Sequence, residues 1–198
     1  MTDTQDQFGG LAAARQQFET TEREALAIAG SLSDAEFNWQ PAPGSWSIGQ
    51  CLQHLATGTD RVLPAIDRAI ATALERQLMA QGPVRYGFFA RMMVTSMEPP
   101  VKWRMKTNRI FQPGTEELRR DAVLAELTAS RGRILERVRQ STGLNLKRAI
   151  VVSPVSRLIR VPLGAYLAFL AAHDRRHLWQ ARQVREASGF GEPATFAR

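Results

Sequence analysis

Three histidines occur in the chain, His54, His173 and His177. His173 and His177 are four residues apart, and in a helix that spacing stacks two side chains on one face, one turn apart. Two imidazoles so placed can share one metal ion. A third from a facing helix makes three protein ligands and leaves positions open for water or substrate. That is the pattern of a catalytic site, since a structural site closes with four. Two hydrogen-bonded core histidines show the same spacing, so the pair alone leaves both readings open.

The apolar periodicity supplies helices to carry these residues. The first is expected from about Gln5 to Gly30, with Phe8, Leu11, Phe18 and Leu26 on one stripe and Gly30 as its stop. The second opens at Ser47, where hydroxyl and Gln50 amide form a capping box. It carries Ile48, Leu52, Leu55, Val62, Ile66, Ile70 and Leu74, and Pro64 is expected to bend it. His54 falls one position from that stripe. The third should start near Thr115, with Glu116 and Glu117 in the first turn where the helix dipole favours negative charge. It runs through Leu124, Leu127, Ile134 and Val138 to near Gly143. The fourth starts close to Pro162, carries Leu163, Tyr166, Leu167 and Leu170, and reaches about Ala187. His173 and His177 continue its inward stripe.

The connections between these helices, Ser31 to Trp46, Gln81 to Gly114 and Thr142 to Val161, are long for a compact domain. Ile150-Val151-Val152 within the last is a candidate extended stretch. The expected fold is therefore all-α, a four-helix bundle with long crossover connections in up-down-down-up order. The length of the second connection lets the second and third helices run parallel.

Composition bounds the rest. The chain has 198 residues, 44% hydrophobic and 23% charged, which is one globular domain over 1–198 with its core at about 5–187. Its net charge of +7 and pI of about 10.6 favour acidic partners. One cysteine, Cys51, excludes an intramolecular disulfide framework and fits a reducing, cytoplasmic setting. The polar start Met1-Thr2-Asp3-Thr4 lacks the features of a signal peptide. The longest apolar stretch, Val161 to Ala172, is about half of the roughly 20 residues that span a bilayer.

The residues around the histidines carry a resemblance. Trp39-Gln40-Pro41-Ala42-Pro43-Gly44-Ser45-Trp46-Ser47-Ile48, followed by His54-Leu55, resembles the entry motif of the DinB-like (YfiT-type) metalloenzymes. His173-Asp174-Arg175-Arg176-His177-Leu178-Trp179-Gln180 resembles that family's closing H-x-x-R-H-x-x-Q. The resemblance covers essentially the whole chain. It implies a four-helix bundle with a divalent metal, usually zinc or nickel (iron or manganese being further candidates), on His54, His173 and His177. It also implies thiol-dependent transferase or isomerase chemistry with a low-molecular-weight thiol, or metal-dependent hydrolysis. Lys147 to Arg160 is more basic than the family pattern, so a substrate mouth of different character is expected.

Residues beside the histidines have narrower roles. Gln180 lies close to the histidine face, within reach of an imidazole N–H or a metal-bound water, and is the candidate catalytic residue. Arg176 lies off that face and suits an ion pair or a packing contact. Asp174 can orient a histidine or pair with Arg175 or Arg176. Cys51 is more readily a small core residue than a ligand. Trp39 and Trp46 flank the Pro-Gly loop and should pin it to the bundle. The run Lys102, Arg104, Lys106 and Arg109, with Trp103 and Phe111 interleaved, lacks any recognised nucleic-acid motif and reads as a solvated loop or a guide for an anionic substrate.

These readings converge on a metal-dependent enzyme acting on a small, anionic substrate, in a homodimer. A non-catalytic metal-binding or stress-response protein is the alternative, and a basic nucleic-acid binder the weaker one. No Asp or Glu occupies a clear general-base position, which favours thiol activation over hydrolysis.

Overall fold

The computed structural model describes residues 10–80, 82, 85–100, 107–114 and 116–191. Phe8, the start of the first expected helix, Lys102 to Lys106 and Thr115 lie outside them. The described chain folds as α1 (Gly10–Ala29), α2 (Asp34–Asn38), α3 (Ile48–Glu75), α4 (Phe88–Thr95), a 3-10 turn at Arg109–Phe111, α5 (Arg120–Gln140), β1 (Ile150–Val152), β2 (Arg160–Pro162) and α6 (Leu163–Arg185). The four long helices are those the periodicity requires. No helix among the described residues is long and apolar enough to cross a membrane.

Cross-helix contacts fix the directions. Along α3 and α5, Leu55 meets Arg131, Asp60 meets Arg133 and Asp67 meets Arg137, so the two run parallel. Along α1 and α6, Gln17 meets Arg175, Glu24 meets Arg182 and Ile28 meets Arg185, again in parallel. One half of the core joins the N-terminal parts of α1 and α6 to the C-terminal parts of α3 and α5, through Phe18, Ile66, Ile134 and Leu167. The other half joins the opposite ends, through Ala25, Leu52, Leu127 and Leu178. Each parallel pair is therefore antiparallel to the other, which is the up-down-down-up order.

A buried polar layer separates the two halves, and every long helix contributes to it. Its members are Thr21 of α1, Thr59 of α3, Ser130 and Arg131 of α5, and Asp174 of α6. Arg131 donates to the Asp174 carboxylate, the Thr59 hydroxyl and, at 3.0 Å, the Leu55 carbonyl. The Thr21 hydroxyl donates to Asp174 at 3.0 Å. Buried charges persist only when paired and hydrogen-bonded in this way.

Several expectations are corrected. Leu26 is 47% exposed and Leu74 is 56% exposed. The buried stripe of α1 runs instead through Ala14, Phe18, Thr21, Ala25 and Ile28. The third long helix starts at Arg120, beyond Glu116 and Glu117. Its first turn is satisfied from a distance, since the Asp34 side chain of α2 accepts from the Arg120 amide at 2.8 Å. Gln81 to Gly114 contains α4, whose Val94 packs with Met97 against Ala168 and Ala172 of α6. The extended stretch expected at Ile150–Val152 is present, as a strand paired antiparallel with β2.

Candidate metal centre

His54 sits in the second turn of α3, a helix whose start is held by the reciprocal bonds of Ser47 and Gln50. Gly49 in the first turn has no alternative. A Cβ there would lie 2.7 Å from the Phe37 ring, so only glycine lets α2 dock against this end of α3. His173 and His177 project from consecutive turns of α6. The polar layer ties the two elements together next to the histidines. Arg131 grips the carbonyl of Leu55, the residue after His54, and the carboxylate of Asp174, the residue after His173.

Ligand nitrogens of the three imidazoles lie within 4.8 Å of one another. His54 Nε2 is 3.1 Å from His173 Nε2. The ring centroids of His177 lie 4.5 Å from those of both His54 and His173. His54 Nδ1 is 2.6 Å from the Phe111 carbonyl, which can only accept, so Nδ1 carries the proton and Nε2 keeps its lone pair. Gln53 receives the Gly114 amide at 2.9 Å, and Gln50 donates to the Gly114 carbonyl at 3.1 Å, which pins the segment after Phe111 onto α3. Gln180 Oε1 accepts from His177 Nδ1 at 3.1 Å and leaves that Nε2 free in the same way.

Aromatic rings wall the cluster. Trp46 stacks on His177 at 5.4 Å and tilts against His54 at 5.0 Å, while Phe169 stacks on His173 at 6.1 Å. His54 is 3% and His177 6% exposed, whereas His173 is half-buried, so the cluster opens to solvent on the His173 side. Burial disfavours the charged imidazolium. It holds His173 down at about 3, helped by the neighbouring His54, Arg131 and Arg176. Burial lowers His54 as well, against its bond to the Phe111 carbonyl, and drives His177 well below its usual value. All three are neutral at pH 7, the form that ligates.

The other sequence candidates fall as follows. Gln180 is beside the site and bonds an imidazole. Asp174 pairs with neither Arg175 nor Arg176; its partners are Arg131 and Thr21. Arg176 donates to the Ser96 carbonyl at the end of α4, at 3.3 Å. Cys51 is buried among Leu52, Leu55 and Phe37, outside the nitrogen cluster, and its thiol is pushed up by that burial. Trp39 packs edge-on against Phe190, whereas Trp46 covers the imidazoles. Lys147 to Arg160 contributes no mouth to the cluster. It forms a turn and hairpin against the C-terminal part of α3, at the opposite end from His54.

Trp46 as a wall, the Phe111 carbonyl, Phe169 and Arg131 were not foreseen from sequence. Only Arg131 left a signal, since it sits in register between Leu127 and Ile134 on the apolar face of α5.

A parallel-paired helical bundle thus brings three imidazoles together in an arrangement that could hold a metal ion. The chain belongs to the DinB superfamily, whose family model matches residues 17–181. No curated protein matches it. Among solved structures it is similar to YfiT from Bacillus subtilis, described as a probable metal-dependent hydrolase with an unusual four-helix bundle topology. The two superpose with a TM-score of 0.60 at 15% identity, over 91% of this chain and 88% of that one. At that identity the likeness carries the fold.

Proposed function

We propose that this chain is a metal-dependent enzyme in which His54, His173 and His177 hold one divalent cation through Nε2, with zinc or nickel preferred. The observation that carries the proposal is the convergence of the three nitrogens from two helices distant in sequence. The donor set fits. Two nitrogens about 2.0–2.1 Å from one tetrahedral ion stand roughly 3.3 Å apart, against the 3.1 Å between His54 and His173.

Bound there, a divalent ion is a Lewis acid that lets a thiol or a water react as its conjugate base near neutral pH. The residues of the chain prepare the place. The Phe111 carbonyl and Gln180 fix two imidazole orientations and are both neutral, so they leave the positive charge of the centre undiminished. Trp46 and Phe169 exclude water from two sides, which strengthens every charge interaction inside. The open side at His173 admits the substrate.

Transfer of a low-molecular-weight thiol to an electrophilic carbon is the preferred reaction. Among the described residues the nearby acid Asp174 is committed to Arg131, so no carboxylate is seen free to act as general base. Hydrolysis is the second reading, favoured by the description of YfiT. A small anionic substrate and a cytoplasmic homodimer complete the proposal. The test is elemental analysis of purified protein, then thiol-transfer and ester-hydrolysis assays on wild-type and His173→Ala protein. Metal-dependent turnover lost in the variant supports the proposal; turnover that survives both chelation and the variant removes it.

A further inference from the structure

Many arginines on this protein are matched by acids. Arg133 pairs with Asp60 and Glu126 at 2.6 Å, Arg137 with Asp67 at 2.8 Å, and Arg139 with Glu136 at 2.6 Å. The C-terminal part of α3 breaks this pattern. Arg68 of α3, Arg76 just past its end, Arg148 of the turn before β1 and Arg160 of β2 line one groove of about 290 Å³. Among the described residues no Asp or Glu lines it. None of the four enters an ion pair among the described residues.

Guanidinium groups stay charged at any physiological pH. Four exposed guanidiniums around one concavity raise its positive potential and attract an anion. The convergence is tertiary, because α4 and α5 lie in the chain between the end of α3 and the turn and strand that complete the groove. The small side chains of Ala65, Ala69 and Ala73 line it together with the apolar Ile150 and Val152, and Thr72 adds a hydroxyl-bearing residue.

We propose that this groove binds a small organic anion carrying phosphate groups. An arginine fork meets phosphate oxygens in pairs. A phosphate turns oxygens toward both walls at once, whereas a carboxylate offers two in one plane. The alanine lining takes the carbon portion of the ligand. Arg68 is 14 residues beyond His54 on the same helix, about 21 Å at 1.5 Å per residue. The groove is thus a second site, and it stands whether or not the histidines bind metal.

The probe is inorganic pyrophosphate, titrated calorimetrically into the full chain at low and moderate salt. One site per chain is expected, weakened by salt and equal in metal-loaded and chelator-treated protein. Arg76→Gln with Arg160→Gln should weaken binding about tenfold or more, and Arg23→Gln, on α1, should leave it unchanged. Melting by circular dichroism checks that the double variant folds; if it does not, Arg76→Gln alone serves the comparison. Phosphatidylcholine vesicles with and without phosphatidylserine separate a soluble ligand from a lipid headgroup. Absence of pyrophosphate binding, equal loss in Arg23→Gln, or arginine-dependent binding to anionic vesicles alone would each overturn the proposal.

Discussion

Arg131 and Asp174 form an ion pair at the centre of the bundle, with side chains 0% and 3% exposed. Each stands next to the site by way of a neighbour. Arg131 also holds the Leu55 carbonyl, one residue from His54, and Asp174 directly follows His173. Arg131 further lies over the Phe18 ring at 5.7 Å. A single guanidinium therefore joins α1, α3, α5 and α6 at the level of the histidines.

Arg131→Met should destabilise the protein by about 3–5 kcal/mol, because it leaves a buried carboxylate without its partner. Arg131→Met combined with Asp174→Leu should recover most of that loss, since neither desolvated charge remains. Urea unfolding of the two variants makes the comparison. A double variant no more stable than the single would mean that the layer acts through packing, not charge.

One divalent metal per chain is the expected stoichiometry by elemental analysis. His173→Ala and His177→Ala should each lose most of it, because two imidazoles hold an ion far less well than three. Full occupancy in the double variant would sink the ligand assignment.

Gln180→Leu should lower metal affinity by about 10- to 100-fold, the usual effect of losing the group that orients a ligand histidine. Gln180 is half-buried and near the end of α6, so the helical dichroism should not change. Equal affinity in wild type and variant would show that His177 is oriented by packing on Trp46 alone.

Metal-free protein should lose stability in acid, with a sign that follows from the depressed imidazoles. Above the unfolded value of about 6.5 they are neutral in both states, and the native state keeps its full advantage. Below it the unfolded chain takes up protons that the folded chain refuses. Stability then falls by up to about 1.4 kcal/mol per pH unit for each histidine, and for His173 the loss continues to about 3. The urea midpoint of the apo protein should therefore drop between pH 7 and pH 5. A flat or rising midpoint would contradict the neutral, buried cluster.

Chelation should leave helical dichroism nearly unchanged, lower the melting temperature modestly by linkage, and abolish activity. Two core halves containing Phe18, Ile66, Leu52, Leu127 and Leu178 supply about 1.5–3 kcal/mol for each large buried side chain, without help from an ion. An apo protein unfolded at room temperature would make the metal structural and remove the physical basis for an open, catalytic centre.

Helices and histidines could be read from the chain because both depend on local spacing. An apolar residue every third or fourth position specifies a helix and its inner face, and the same rule places His173 above His177. The box at Ser47 and Gln50 and the stop at Gly30 are equally local. Where a signal belongs to another element, sequence reading failed. The start of α5 is completed by Asp34, 86 residues away, so Glu116 and Glu117 misplaced it. The stripe of α1 passes through small residues that periodicity undervalues, which drew attention to Leu26. Local spacing leaves Asp174 between orienting a histidine and pairing with Arg175 or Arg176, because Arg131 is near it only in space. The distance between His54 and His173, the carbonyl that orients His54, and the separation of Lys147–Arg160 from the histidines all depend on how helices cross. Those relationships are set by packing and by one buried ion pair, neither of which leaves a periodic trace in the chain.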